Sequence, residues 1–134
     1  MTAGGVDIGA SLSQSKHSLV EAISCGVTTV FGGGTGSTES SQSNSTPGPN
    51  NIKYVIQSTD EIPLNFGFYA KGNSSSSRSS SDSATSFDFP KELEDQLIAG
   101  AIGLRLSEIC GATPAAIDSC LRVADFHDVI VSKY

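Results

Sequence analysis

Basic residues are scarce in this chain and nowhere clustered. Eight Lys and Arg stand against fourteen Asp and Glu, for a formal charge of −6. A nucleic acid or an anionic membrane surface is met by a basic stripe or patch, so neither partner is expected. Long apolar runs are missing as well. None approaches the roughly 20 residues of a membrane-spanning helix, and Met1-Thr2-Ala3-Gly4-Gly5 has neither the basic nor the apolar segment of a secretory leader. The chain therefore reads as cytoplasmic. Cysteine is thin too. Cys25, Cys110 and Cys120 are too few and too dispersed for a disulfide framework or a closed zinc site, and are expected as reduced, mostly buried thiols.

What remains is an ordinary globular composition. The chain has 134 residues, 37% of them apolar, enough for one domain with its own core. The clearest local signal is Gly100-Ala101-Ile102-Gly103-Leu104-Arg105-Leu106-Ser107-Glu108-Ile109-Cys110-Gly111-Ala112-Thr113-Pro114. An apolar run of strand length ends in polar residues, then turns through Gly111 into a hydroxyl N-cap with proline in the first helical turn. The rest repeats this pattern. Strands are expected over residues 6–12, 27–31, 63–69 and 101–106, with another beginning at Val129. Helices are expected over 18–25, 52–58, 91–99 and 114–126, with apolar stripes that include Leu93, Leu97 and Ile98 in the third, and Ala116, Ile117, Cys120, Leu121 and Ala124 in the fourth. Residues 74–86 are dominated by serine and are expected to be a disordered insertion. Four strand–helix units and a closing strand are the pattern of a parallel α/β fold, about half of an eight-fold (β/α) barrel in a single domain over 1–134.

In such folds the chemistry gathers at the carboxyl ends of the strands. That places Arg105, Ser107 and Glu108, together with Lys71 after the third strand, among the candidates. The turn Gly32-Gly33-Gly34-Thr35-Gly36 has bare amides that could cradle an anion, but it lacks the lysine of a phosphate-binding Walker loop and the spacing of a dinucleotide fingerprint. With Lys71 and Arg105 on the same face, Gly33, Gly34, Thr35 and Gly36 make an anion-binding module one reading of the chain. His17 and His127 fall near helix ends and are expected as surface or capping groups.

Eight segments, in order, resemble one family. Thr2-Ala3-Gly4-Gly5-Val6-Asp7, Gly26-Val27-Thr28-Thr29, Gly32-Gly33-Gly34-Thr35-Gly36, Thr46-Pro47-Gly48-Pro49, Leu64-Asn65-Phe66-Gly67-Phe68, Lys71-Gly72-Asn73, Ala99-Gly100-Ala101-Ile102-Gly103-Leu104 and Gly111-Ala112-Thr113-Pro114-Ala115-Ala116-Ile117-Asp118 look like the catalytic alpha subunit of urease. The resemblance implies the first half of an amidohydrolase barrel. It also implies a family chemistry, urea hydrolysis by two nickel ions bridged by a carbamylated lysine. The departures fall on that chemistry. Against the family pattern, Gly9 and Ser11 stand where a His-x-His pair is expected, Arg105 replaces the carbamylated lysine, Ser107 replaces a substrate-binding histidine, and Tyr134 falls at a further histidine ligand. No ligand or catalytic position is then retained, and no cofactor is expected for this chain.

Two functional expectations follow from the resemblance. One is a non-catalytic half-barrel with a structural or interaction role, joined to itself, to a barrel-completing partner or to a urease-type subunit. The other is a urease-derived chain that contributes to conversion of urea to ammonia and carbamate only when a second half complements it.

Overall fold

Five strands and four helices alternate along the chain in a computed structural model that describes residues 2–11, 16–34, 45–73, 90–108 and 111–133. The strands are β1 (Gly5–Ser11), β2 (Val27–Gly33), β3 (Asn65–Lys71), β4 (Gly103–Leu106) and β5 (Ile130–Lys133). The helices are α1 (Lys16–Ser24), α2 (Pro49–Ser58), α3 (Lys91–Ile98) and α4 (Pro114–His127). All four strand pairs are parallel and the order in the sheet is β1-β2-β3-β4-β5. Each helix returns the chain to the start of the next strand, and the sheet curls into a half-barrel. The expected partial (β/α) barrel of four units and a closing strand is what forms. The serine-rich residues 74–86 lie outside the described residues. No helix among the described residues is long and apolar enough to cross a membrane.

The core lies between the helices and the middle of the sheet. Ala70, Leu104 and Leu106 from the strands meet Ile52 of α2, Leu93 of α3, and Cys120 and Val123 of α4. Each fully buried Leu, Ile or Val side chain contributes about 1.5–3 kcal/mol over leaving it in water. This gives the β3–β4 region its hold, whereas β1 has no fully buried residue along its length. Strand alternation then assigns the faces. With Ala70, Leu104 and Leu106 turned toward the helices, Tyr69, Lys71, Gly103 and Arg105 belong to the concave face. Gly67 shares that face, where an added Cβ would collide with the ring of Phe31 and the side chain of Ile102.

Local chemistry explains most boundaries. Thr113 caps α4 as expected, its hydroxyl accepting from the Ala116 N–H at 3.3 Å, with Pro114 next. Gly26, past the end of α1, takes φ 87°, the left-handed value glycine adopts without cost. Three expectations are corrected. α2 starts at Pro49 rather than Ile52, because proline's preset φ suits the first turn and its missing N–H leaves nothing unsatisfied there. Ile98 and Leu121 are exposed, and the buried positions in their helices include Gln96 and Val123 instead. Of the described cysteines Cys120 is buried but Cys25 is exposed; both are free thiols.

Candidate functional site

The site grows from one row of side chains across three strands. Lys71 of β3 pairs in register with Arg105 of β4, and Arg105 with Ser132 of β5. All three therefore project from the concave face at one level near the carboxyl ends. Arg105 is only 9% exposed. Its guanidinium carbon stands 5.2 Å from the centre of the Tyr69 ring, a cation–π contact that stabilises the charge in a partly desolvated place. Gly103, one step below Arg105 on the same face, is required by close packing, since a Cβ there would run into the carbonyl oxygen of Ile130.

Lys71-Gly72-Asn73 locks this row in place. The Gly72 N–H donates to the Arg105 carbonyl at 2.8 Å and extends the ladder beyond the last strand residue. The Cys120 thiol donates to the Gly72 carbonyl at 3.0 Å. A Cβ at position 72 would sit 2.9 Å from Cys120 Sγ and 3.1 Å from the Arg105 oxygen, so glycine is needed. Asn73 then makes a reciprocal pair with the Ser107 backbone, Nδ2 donating to its carbonyl at 3.3 Å and Oδ1 accepting from its N–H at 3.1 Å. Ser107 is thus fixed through its main chain. Burial pushes the Cys120 thiol up from 9.0 to about 11, which keeps it neutral in its role as donor.

Two further residues brace the site, and neither is evident from the sequence. Gln96, 1% exposed, accepts from the Gly48 N–H at 3.0 Å and donates to the carbonyls of Lys71 at 3.3 Å and Glu92 at 3.0 Å. One amide so ties α3 to the entrance of α2 and the end of β3. Its only sequence signal is a polar residue three places after Leu93, on a helix face that is otherwise buried. Thr46, fully buried, bridges to Ala70 beside β3 and accepts from the Gly34 N–H at 3.2 Å. It continues the sheet where β2 and β3 stop pairing at Gly32 and Phe68.

The remaining candidates spread to either side. Ser11 of β1 is in register with Gly33 of β2, and Gly32 cannot carry a side chain because a Cβ would meet the Ala10 carbonyl. Gly9 lies in an irregular stretch of β1, its N–H donating to Asp7 Oδ1 at 2.9 Å. Thr35, Gly36 and Tyr134 lie outside the described residues. Glu108 is exposed and paired with Lys133 at 2.7 Å; the hydrogen bond first and the charge second hold its carboxyl below the usual range. His127 is half-buried at the far end of α4, its Nε2 3.7 Å from Glu94 Oε1, away from the strand ends. His17 falls in α1.

Gly9, Ser11 and Arg105, the described residues where the resemblance implies ligands, do not suit a dinuclear nickel centre. Glycine brings no side-chain donor, a serine hydroxyl is a poor partner for an ion that prefers imidazole, and guanidinium carries a charge that no physiological pH removes. Among the described residues no group of three or more His, Cys, Asp or Glu side chains is placed to hold a metal ion.

Comparison with known proteins bears on the family to which the fold belongs. The sequence model of the amidohydrolase family matches residues 2–132. Urease subunit alpha of Natronomonas pharaonis is 43% identical over 130 residues, which is 97% of this chain and 20% of that protein. The chain thus spans about a fifth of the length of the curated relative it matches.

Proposed function

The chain belongs to the amidohydrolase family, and from that premise we propose that it is a urease-alpha-like half-barrel that does not hydrolyse urea and acts as an interaction module. The observation that carries the reading is Arg105, buried on the concave face near the carboxyl end of β4, where the resemblance places a metal-bridging lysine. Carbamate formation needs an amine that can lose its proton, and guanidinium does not. A unit charge about 4 Å from another costs about 4 kcal/mol at the effective dielectric of a protein surface, and a divalent ion meets twice that. Two nickel ions beside Arg105 are disfavoured on charge alone, before the missing imidazoles at Gly9 and Ser11 are considered.

The interaction role is supported by the edges. Among the described residues β1 and β5 each have a strand neighbour on one side only. Val6 and Ile8 on β1 are 58% and 66% exposed and Ile130 on β5 is 60% exposed, apolar side chains on strands whose outer N–H and C=O groups can accept another strand. A second copy or another urease-type chain would cover both.

The test joins three measurements on purified protein incubated with nickel and bicarbonate: bound metal by elemental analysis, ammonia release from urea, and mass in solution by light scattering. Metal well below one ion per chain, no ammonia, and an assembly larger than one chain are expected. Two nickel ions per chain with urea turnover would overturn the catalytic half of the reading, and a monomer at all concentrations would overturn the interaction half.

A further inference from the structure

We infer that the end of the half-barrel where the strands begin is a docking surface for a basic amphipathic helix of a partner protein. Two apolar hollows lie side by side there. The first, about 340 Å³, is lined by Ile56 near the end of α2 and by Phe66 and Ile102. The second, about 540 Å³, is lined by Ile23 near the end of α1 and by Val27 at the start of β2. Ile62 and Leu64, in the turn between α2 and β3, belong to both and form the ridge between them. Ile56 lies against Gly100, where a Cβ would come within 2.9 Å of its side chain. The other lining residues named are half-buried and Ile56 is 40% exposed, so this end keeps a strip of apolar side chains in contact with water.

Electrostatics select the partner. α1, α2 and α3 all end here, and the carboxyl end of a helix carries about half a negative charge. None of the three has a basic residue in its last turn. Asp60 and Glu61, in the turn that leaves α2, add two exposed carboxylates, and among the described residues neither has an ion-pair partner. Asp60 itself lines the first hollow. Negative charge beside apolar surface is complemented by lysine or arginine beside apolar side chains.

The backbone selects the partner's form. β2 and β3 are each paired on both sides, so the strands at the hollows offer no free edge to an extended segment. A helix satisfies its own backbone bonds and presents apolar side chains three or four residues apart, the mode by which amphipathic helices fill apolar grooves. Neither β1 nor β5 lines the hollows, so the inference stands whether or not those edges associate.

Fluorescence anisotropy with two labelled synthetic peptides tests it, one a leucine–lysine amphipathic helix and the other its leucine–glutamate counterpart. Saturable binding of the lysine peptide alone is expected at physiological ionic strength. Asp60→Lys and Ile56→Lys, both at exposed positions, should each weaken it by about tenfold or more, with circular dichroism unchanged. Asp118→Lys, at an exposed position of α4, changes the net charge as much as Asp60→Lys does and should leave the dissociation constant unaltered. Val6→Lys and Ile130→Lys should leave it unaltered too, which keeps this surface distinguishable from the strand edges. Equal weakening by Asp118→Lys and Asp60→Lys would mean attraction to the overall charge and would overturn the proposal, as would equal binding of the two peptides or an unaltered constant in Ile56→Lys. If light scattering shows Ile56→Lys turning an assembly of the free protein into single chains, a second copy fills the hollows and the proposal fails.

Discussion

Cys120 shows how a single side chain is tuned by where the chain folds it. Its thiol is fully buried and donates to the Gly72 carbonyl, and burial raises its pKa to about 11. The folded state then keeps a proton that the unfolded chain begins to release near 9.0. The stability contributed by the neutral thiol is complete below that pH and is lost as pH rises toward 11. Urea midpoints of the wild type should therefore fall between pH 9 and 11 more steeply than those of Cys120→Ala. The difference in slope is the readout, because the alanine variant is also less stable at every pH. A thiol reagent at pH 8 should modify exposed Cys25 in the native protein and reach Cys120 only after denaturant is added. Arg105 and Lys71 were legible at this scale, because charged residues at the end of an apolar strand have few structural reasons to be there. Gln96 was not, since one polar letter in a helix gives no hint of three partners, two of them in other parts of the chain.

Element by element, the sequence was most informative where local physics and tertiary packing ask for the same thing. β2 reads directly from Val27-Thr28-Thr29-Val30-Phe31, and α4 from Thr113-Pro114, because β-branched strands and hydroxyl caps act within a few residues. The start of α2 was less legible, since Thr46-Pro47-Gly48-Pro49 has the composition of a loop, and it is the Ile52 N–H bond to the Gly48 carbonyl at 3.3 Å, with Gln96 holding the Gly48 N–H, that marks entry into a helix. Helix faces were legible only in part. Ile98 and Leu121 suit a core by composition, yet which stripe is buried depends on where the sheet lies. Two variants test the elements. Gln96→Leu leaves the Gly48 N–H and the Lys71 carbonyl without their partner in a closed space, and should lower unfolding free energy by about 2–4 kcal/mol in urea titrations. Thr113→Ala removes the cap of α4 alone and should cost about 1 kcal/mol by the same measurement.

At the scale of the molecule the open edges dominate. A closed barrel has no unpaired strand edge, whereas among the described residues this sheet presents two. Light scattering over a hundredfold range of protein concentration should show mass rising with concentration. Val6→Lys and Ile130→Lys place charges on the two edges and should each shift the equilibrium toward single chains by about tenfold or more in dissociation constant, with circular dichroism unchanged. The half-barrel was legible because strand–helix alternation fixes parallel order almost without alternatives. Which strands form its edges was not, since an edge exists only once the neighbouring strands are placed.

The order β1-β2-β3-β4-β5 has one more consequence. Every strand finds its neighbour in the unit just made, so the sheet can be laid down progressively as the chain leaves the ribosome, without waiting for distant residues to arrive. The stretch with least internal support, β1 and α1, precedes β2 in the chain and gains a wall to lean on once Val30 and the rest of β2 are in place.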